Sequence, residues 1–194
     1  GNTLTLKGLV TNTVSGGIVG SSNSNLIING TVSPSLSFDQ TTSGTTNTFK
    51  NLTINSSGQT VTLLNSFKLT GTYTPTAGTL ATGGYLTIGS NASSTASIAA
   101  GSTAGGYITG NVTVERYIPQ NTNRAWRLLA SPTSGQTIHE AWQENQAAGS
   151  NGSAGYGTII TSKDVTWAAN GFDYKTANYS LYSYDAATDE LVPV

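Results

Sequence analysis

Along the first 114 residues, apolar side chains alternate with threonine, serine or asparagine in a short phrase that closes on glycine or asparagine. It runs as Leu4-Thr5-Leu6-Lys7-Gly8, Leu26-Ile27-Ile28-Asn29-Gly30, Leu52-Thr53-Ile54-Asn55, Phe67-Lys68-Leu69-Thr70-Gly71, Leu86-Thr87-Ile88-Gly89 and Tyr107-Ile108-Thr109-Gly110. Strict alternation places one row of side chains inward and one outward on a strand. The clearest inward pairs are Leu4/Leu6, Leu52/Ile54, Phe67/Leu69, Leu86/Ile88 and Val112/Val114. Gly16-Gly17, Ser57-Gly58, Gly83-Gly84 and Gly105-Gly106 punctuate the strands, and Pro34 and Pro75 suit corners or strand starts.

Measured between residues 6, 28, 54, 69, 88 and 108, the phrase returns after 22, 26, 15, 19 and 20 positions. An antiparallel sandwich with Greek-key links is one architecture for such strands, but its turn signals recur about every 8 to 12 residues. Here a strong phrase near twenty is interleaved with weaker strands, Val61-Thr62-Leu63-Leu64 and Ala96-Ser97-Ile98. A coil holding two or three short strands accounts for both periods. The reading is an all-β chain with a right-handed parallel β-solenoid over residues 1–118.

The pattern changes at Glu115. Lys7, Asp39, Lys50 and Lys68 are the only charges before it, whereas 13 of the 17 charges, all three tryptophans and the single histidine follow. Residues 119–194 read as a small β-rich unit with one short helix. Val112 to Ile118, closed by Pro119, reads as the strand leading into it, and Ala125-Trp126-Arg127-Leu128-Leu129 as another, with Trp126 and Leu128 in its core. Thr137 and Glu140 form a capping box ahead of a helix-compatible run from Ile138 to Ala148. Residues 149–157 read as a loop. Leu181 to Tyr184 and Leu191 to Val194 flank Asp185 to Glu190 as a hairpin. The last four residues break off inside that second strand, which predicts an incomplete unit in a longer protein.

Only 9% of residues are charged, against about 25% in an average soluble protein. The net charge of -1, with scattered lysines and arginines, offers no field for a phosphate backbone or an anionic membrane. With no cysteine there is neither a disulfide nor a thiolate metal site. No apolar run nears the roughly 20 residues of a membrane span, and no basic-then-apolar leader opens the chain.

Few residues invite chemistry. His139-Glu140-Ala141-Trp142-Gln143 has the start of a zinc-protease helix, but Gln143 stands where the second histidine belongs, and Glu140 is committed to the cap. Glu140 and Glu144 share one helical face rather than flanking a cleft as glycosidase acids do. His139 with the many serines lacks a Gly-x-Ser-x-Gly elbow. Asp185, Asp189 and Glu190 offer oxygen ligands without the spacing of a calcium loop, and Asp39 stands alone among the coils. Thr-x-Thr pairs at 3/5, 11/13, 72/74 and 74/76 suit an ice-binding array, but they do not recur in register with the phrase. Seven Asn-x-Ser/Thr sequons follow from composition. The better lead is aromatic: Trp142 and Trp167 are candidate ligand-contacting side chains among the tyrosines of the last 70 residues.

The stretches Gly110 to Pro119, Arg124 to Pro132, Thr137 to Glu144 and Tyr179 to Asp185 resemble a recurring module of large, repetitive secreted or cell-surface proteins of Bacteroidota. The resemblance covers roughly residues 78–194. It implies export by a type IX secretion system, without the C-terminal sorting domain such cargo carries, and a place outside the cell or on its outer surface. That family has no established catalytic residues to carry over. The function expected is a structural or adhesive module, not an enzyme, with no cofactor, metal, nucleic acid or membrane insertion. Its expected partners are surface glycans, other copies of itself or the rest of its parent protein. A carbohydrate-binding or carbohydrate-active β-helix is the alternative.

Overall fold

The structure, a computed structural model, describes residues 1–10, 16–101, 107–119, 126–129, 134–142, 179 and 181–193. The chain divides into two compact units, Gly1–Gln120 and Asn121–Val194.

Among its described residues, unit 1 holds ten strands: β1 (Thr3–Leu6), β2 (Ser21–Ile28), β3 (Ser35–Leu36), β4 (Thr48–Leu63), β5 (Phe67–Leu69), β6 (Thr72–Ala81), β7 (Leu86–Ile88), β8 (Ser97–Ile98), β9 (Ile108–Thr109) and β10 (Val112–Val114). Every pairing among them is parallel, and they stack as a β-solenoid of about five turns. The registers resolve three faces. The first carries the column Leu4, Leu26, Leu52, Tyr73, Ile98 and beside it Leu6, Ile28, Ile54, Pro75. The second carries Val61, Leu80, Ile108 and the pair Leu36/Leu63. The third carries Phe49, Leu69, Ile88, Val114 and Phe67, Leu86, Val112. The chain passes from third face to first to second in each turn.

These columns correct the spacing read from sequence. Leu6, Ile28 and Ile54 belong to the first face, Leu69 and Ile88 to the third, and Ile108 to the second. The 15-residue interval is therefore a change of face within one turn. True coil lengths, taken down single columns, are 22, 26, 21 and 25 residues on the first face and 20, 19 and 26 on the third. The phrase looked like one rung repeated because every face needs the same apolar-polar-apolar triplet.

Long strands turn the corners by local backbone devices. β4 shifts register after Ile54 and carries Gly58 at φ 71°, and β6 bends between Pro75 and Gly78, where φ is 91°. The glycines that close the phrase have a steric reason. A Cβ on Gly30, Gly71 or Gly89 would stand 2.4, 2.5 or 2.8 Å from the carbonyl oxygen of Lys7, Lys50 or Leu69 on the preceding coil.

The interior is apolar throughout, and each fully buried leucine or isoleucine contributes about 2 kcal/mol. Phe38, Phe49 and Phe67 pack together in the core, with ring centroids 4.5 to 5.8 Å apart. Three of the four buried polar side chains, Asn47, Ser56 and Thr82, bond to a neighbouring coil, while the Thr48 hydroxyl donates to the Gly44 carbonyl of its own coil. Asn47 donates to the Ser66 carbonyl at 3.2 Å, and the Thr82 hydroxyl to the Asn111 carbonyl at 2.6 Å. Asn65, half-buried, accepts the Phe38 N–H and donates to the Phe38 carbonyl, both at 2.8 Å.

Unit 2 contains α1 (Ile138–Trp142) and an antiparallel hairpin of β11 (Tyr182–Asp185) and β12 (Glu190–Pro193). The capping box forms: the Thr137 N–H donates to Glu140 Oε2 at 2.7 Å, and the Glu140 N–H to Thr137 Oγ1 at 3.2 Å. The helical run beyond Trp142 and the loop at 149–157 lie outside the described residues. Two expectations are corrected. Residues 126–129 form no strand, and Trp126 and Leu128, expected in a core, are 64% and 103% exposed. The strand expected over Val112 to Ile118 ends at Val114.

Candidate functional site

Two surfaces have the makings of a site. One is the outward side of the first face. Thr3, Asn25 and Asn51 stand in register, continued by Thr72 and Ser97, and beside them run Thr5, Ile27, Thr53 and Thr74. Of the Thr-x-Thr pairs, 3/5 and 72/74 occupy the same two rows, with Asn25/Ile27 and Asn51/Thr53 on the coils between them, while 74/76 does not match these rows and 11/13 lies outside the described residues. Sequence alone hid this because the intervening coils use different residues at those rows.

The first row is tied lengthwise. Asn51 Nδ2 donates to Asn25 Oδ1 at 2.8 Å, Asn25 Nδ2 to Thr3 Oγ1 at 3.3 Å, and the Thr72 N–H to Asn51 Oδ1 at 2.9 Å. Stacking identical amides every ~4.8 Å lets each both give and accept, whereas identical charges would repel. The sequon asparagine Asn51 thus has both its amide atoms engaged within the solenoid.

On the third face Lys68 Nζ lies 2.8 Å from Glu115 Oε1 and 2.9 Å from Oε2. The two residues sit two coils apart, and Gly89 between them leaves the path open. Burial alone would raise the Glu115 pKa. It is outweighed by the Lys68 hydrogen bond, the Ser90 N–H at 3.0 Å and the ammonium charge, which together hold the carboxyl below its ordinary value. The pair is half exposed and serves as a coil-to-coil tie. Asp39, the other acid of the coils, accepts the Thr41 hydroxyl, and that bond, followed by one from Thr46, lowers its pKa.

The second surface is aromatic and belongs to unit 2. Trp126 meets Tyr182 edge-on at 5.3 Å, and Tyr182 meets Tyr179 edge-on at 6.4 Å. Tyr184 shares the Tyr182 side of β11 and is 62% exposed, and its hydroxyl donates to Asp189 Oδ1 at 2.7 Å. That bond raises the Tyr184 pKa. Asp189 adopts φ 57° at the end of the hairpin turn, and the Asp185 carboxylate accepts the Ala187 N–H. Both acids are thus engaged in shaping the turn.

The candidates named from sequence divide accordingly. Trp142 is half-buried at the end of α1, while Trp167 and Glu144 lie outside the described residues. Trp126, Tyr179 and Tyr182 form the aromatic cluster instead. The Tyr182-x-Tyr184 alternation carries that signal, whereas the alternation of Trp126 with Leu128 points Trp126 inward. No three potential metal ligands converge among the described residues, and no helix there is long and apolar enough to cross a membrane.

Compared with models of protein families, with curated proteins and with solved structures, the chain has no match.

Proposed function

We propose that this chain is a structural or adhesive module of a large secreted or surface-displayed bacterial protein, of the kind exported by type IX secretion in Bacteroidota. The observation that carries the proposal is the outward surface of the first face, two uncharged rows in register held by an asparagine ladder. Such a scaffold gains stiffness coil by coil from nearest-neighbour ladders, and it presents hydroxyl and amide groups without acids for catalysis. Its contacts would be with glycans or other neutral surfaces.

The Trp126/Tyr182/Tyr179 cluster favours a second reading, a carbohydrate-binding module in which aromatic faces stack on sugar rings. A glycan array probed with the whole chain tests both. Binding without cleavage products that survives Trp126→Ala with Tyr182→Ala supports the solenoid surface; binding lost in that variant supports the aromatic site. Turnover of any polysaccharide overturns the non-enzymatic reading, and silence across the array removes adhesion to glycans.

A further inference from the structure

Stacking forces a chemically labile dipeptide onto one corner of the solenoid. A Cβ at position 30 would stand 2.4 Å from the Lys7 carbonyl oxygen, so only glycine fits there. The glycines that close the other phrases, Gly8, Gly71, Gly89 and Gly110, follow Lys7, Thr70, Ile88 and Thr109, whereas Gly30 follows an asparagine. Asn-Gly is the asparagine context most open to self-attack, because no Cβ shields the glycine nitrogen. Asn55 takes the corresponding place on the next coil but is followed by Ser56. Asn29 itself is exposed. Its dipeptide is gripped from both sides: the Asn29 N–H donates to the Leu6 carbonyl at 2.9 Å on the coil before, and the Gly30 N–H donates to Ser56 Oγ at 3.2 Å on the coil after. Ser56 is 0% exposed.

We infer that Asn29-Gly30 is a shielded self-modification site, kept intact by the Ser56 bond and converted irreversibly by water when this corner opens. In the reaction the Gly30 nitrogen attacks Asn29 Cγ. The N–Cγ bond forms, the Cγ–Nδ2 bond breaks, and ammonia leaves with the Gly30 amide proton, giving a five-membered imide. Water then opens the imide at one carbonyl or the other, to aspartate or isoaspartate, and nothing is oxidised or reduced. In the closed corner the first step is blocked, because turning the Gly30 nitrogen onto Cγ breaks its bond to Ser56 and strips a buried hydroxyl of that partner. Conversion therefore waits on local opening. The two products differ in effect. Aspartate puts a carboxylate next to Lys7, since Ile28 and Leu6, the residues before them, are in register. Isoaspartate adds a methylene to the main chain between Ile28, 2% exposed, and Gly30, where a Cβ already has no room. A corner that has reacted in this way does not close again, so the site keeps a permanent record of opening. The proposal does not depend on what the outward rows contact.

The test is peptide mapping by mass spectrometry after the whole chain has stood in warm, mildly alkaline buffer, folded and in urea. Alongside run Ser56→Ala, which removes the acceptor, and Asn65→Ala, which loosens a different corner by removing the bonds to Phe38. Conversion at Asn29 should be at least about tenfold slower in the folded chain than in urea. Ser56→Ala should recover most of the urea rate with unchanged far-UV circular dichroism, and Asn65→Ala should stay at the wild-type rate. Hydrogen exchange at the wild-type Gly30 amide gives a second reading that needs no variant: the fraction of time open, multiplied by the rate in urea, should equal the folded rate. Chains carrying isoaspartate should lose that protection. Equal rates folded and in urea, a rate unmoved by Ser56→Ala, equal acceleration by Asn65→Ala, a folded rate above the product, or protection retained with isoaspartate each overturns the proposal.

Discussion

Asn65 is the most incisive point at which to test the coil-to-coil bonding. Its side-chain amide acts like a peptide group inserted between coils. Oδ1 accepts the Phe38 N–H at 2.8 Å, and Nδ2 donates to the Phe38 carbonyl at 2.8 Å and to Ser37 Oγ at 2.9 Å. In Asn65→Ala these three losses are unequal. The Phe38 carbonyl keeps the Gln40 amide at 3.1 Å, and the Ser37 hydroxyl can turn to water. The Phe38 N–H has no substitute, and an orphaned donor costs about 1 to 3 kcal/mol. With about 0.5 kcal/mol for the remaining bonds, a destabilisation of about 1.5 to 3.5 kcal/mol is expected. Urea unfolding followed by far-UV circular dichroism gives the total. Hydrogen exchange at the Phe38 amide tests the cause, since its protection should fall more than that of Leu80, which bonds to the Tyr107 carbonyl on the second face. Tryptophan emission is the wrong probe, because all three tryptophans lie in unit 2. Asn65→Asp retains the acceptor and sets a carboxylate against the Phe38 carbonyl. It should be less stable than wild type at neutral pH and regain part of the loss below about pH 4, whereas Asn65→Ala should show no such recovery. A cost under about 0.5 kcal/mol, the scatter of surface substitutions, with Phe38 protection unchanged, would refute the reasoning.

Tyr73→Phe should be nearly neutral, within about 1 kcal/mol, because the Tyr107 carbonyl that its hydroxyl reaches at 3.3 Å already accepts the Leu80 N–H at 2.8 Å; Tyr73→Ala should cost about 3 to 5 kcal/mol, and chemical denaturation separates the two. Gly78→Ala combines a left-handed backbone with a Cβ 2.4 Å from the Ser56 carbonyl, while Gly58→Ala meets nothing within 4 Å. The first should therefore lose at least about 2 kcal/mol and the second about 1 kcal/mol, and equal melting temperatures for the two would contradict the steric account. Glu115 has a depressed folded-state pKa, so its contribution is present above the ordinary glutamate value of 4.5 and is lost as pH falls through the folded-state value. Glu115→Gln should destabilise unit 1 by about 0.5 kcal/mol at neutral pH, discounted for exposure, and merge with wild type in strong acid; a difference that persists there would exclude the ion pair as its source.

The solenoid was legible because its rule is local. A buried-polar-buried triplet such as Phe67-Lys68-Leu69 needs only its own alternation to be recognised, and the glycine after it marks where the next coil passes close. Which triplets stack on which was not legible. Leu69 pairs with Phe49 rather than Ile54 because β4 carries Phe49 on the third face and Ile54 on the first, and the corner between them has no periodic signature. The outward rows stayed hidden for a related reason, since Asn25 and Thr72 look unrelated until stacking sets them one coil from Asn51. Trp126 failed differently. Alternation of Trp126 with Leu128 mimics a half-buried strand, yet a ring that packs edge-on against Tyr182 needs no core behind it.

Coil lengths of 19 to 26 residues on the first and third faces carry a mechanical consequence. A rung torn from the end of the stack leaves its neighbours' ladders whole, so tension applied along the chain meets the same modest resistance again and again instead of one large barrier. Each rung released adds about 60 to 90 Å of slack. A solenoid pulled in this way yields in repeated small steps and dissipates work at each one.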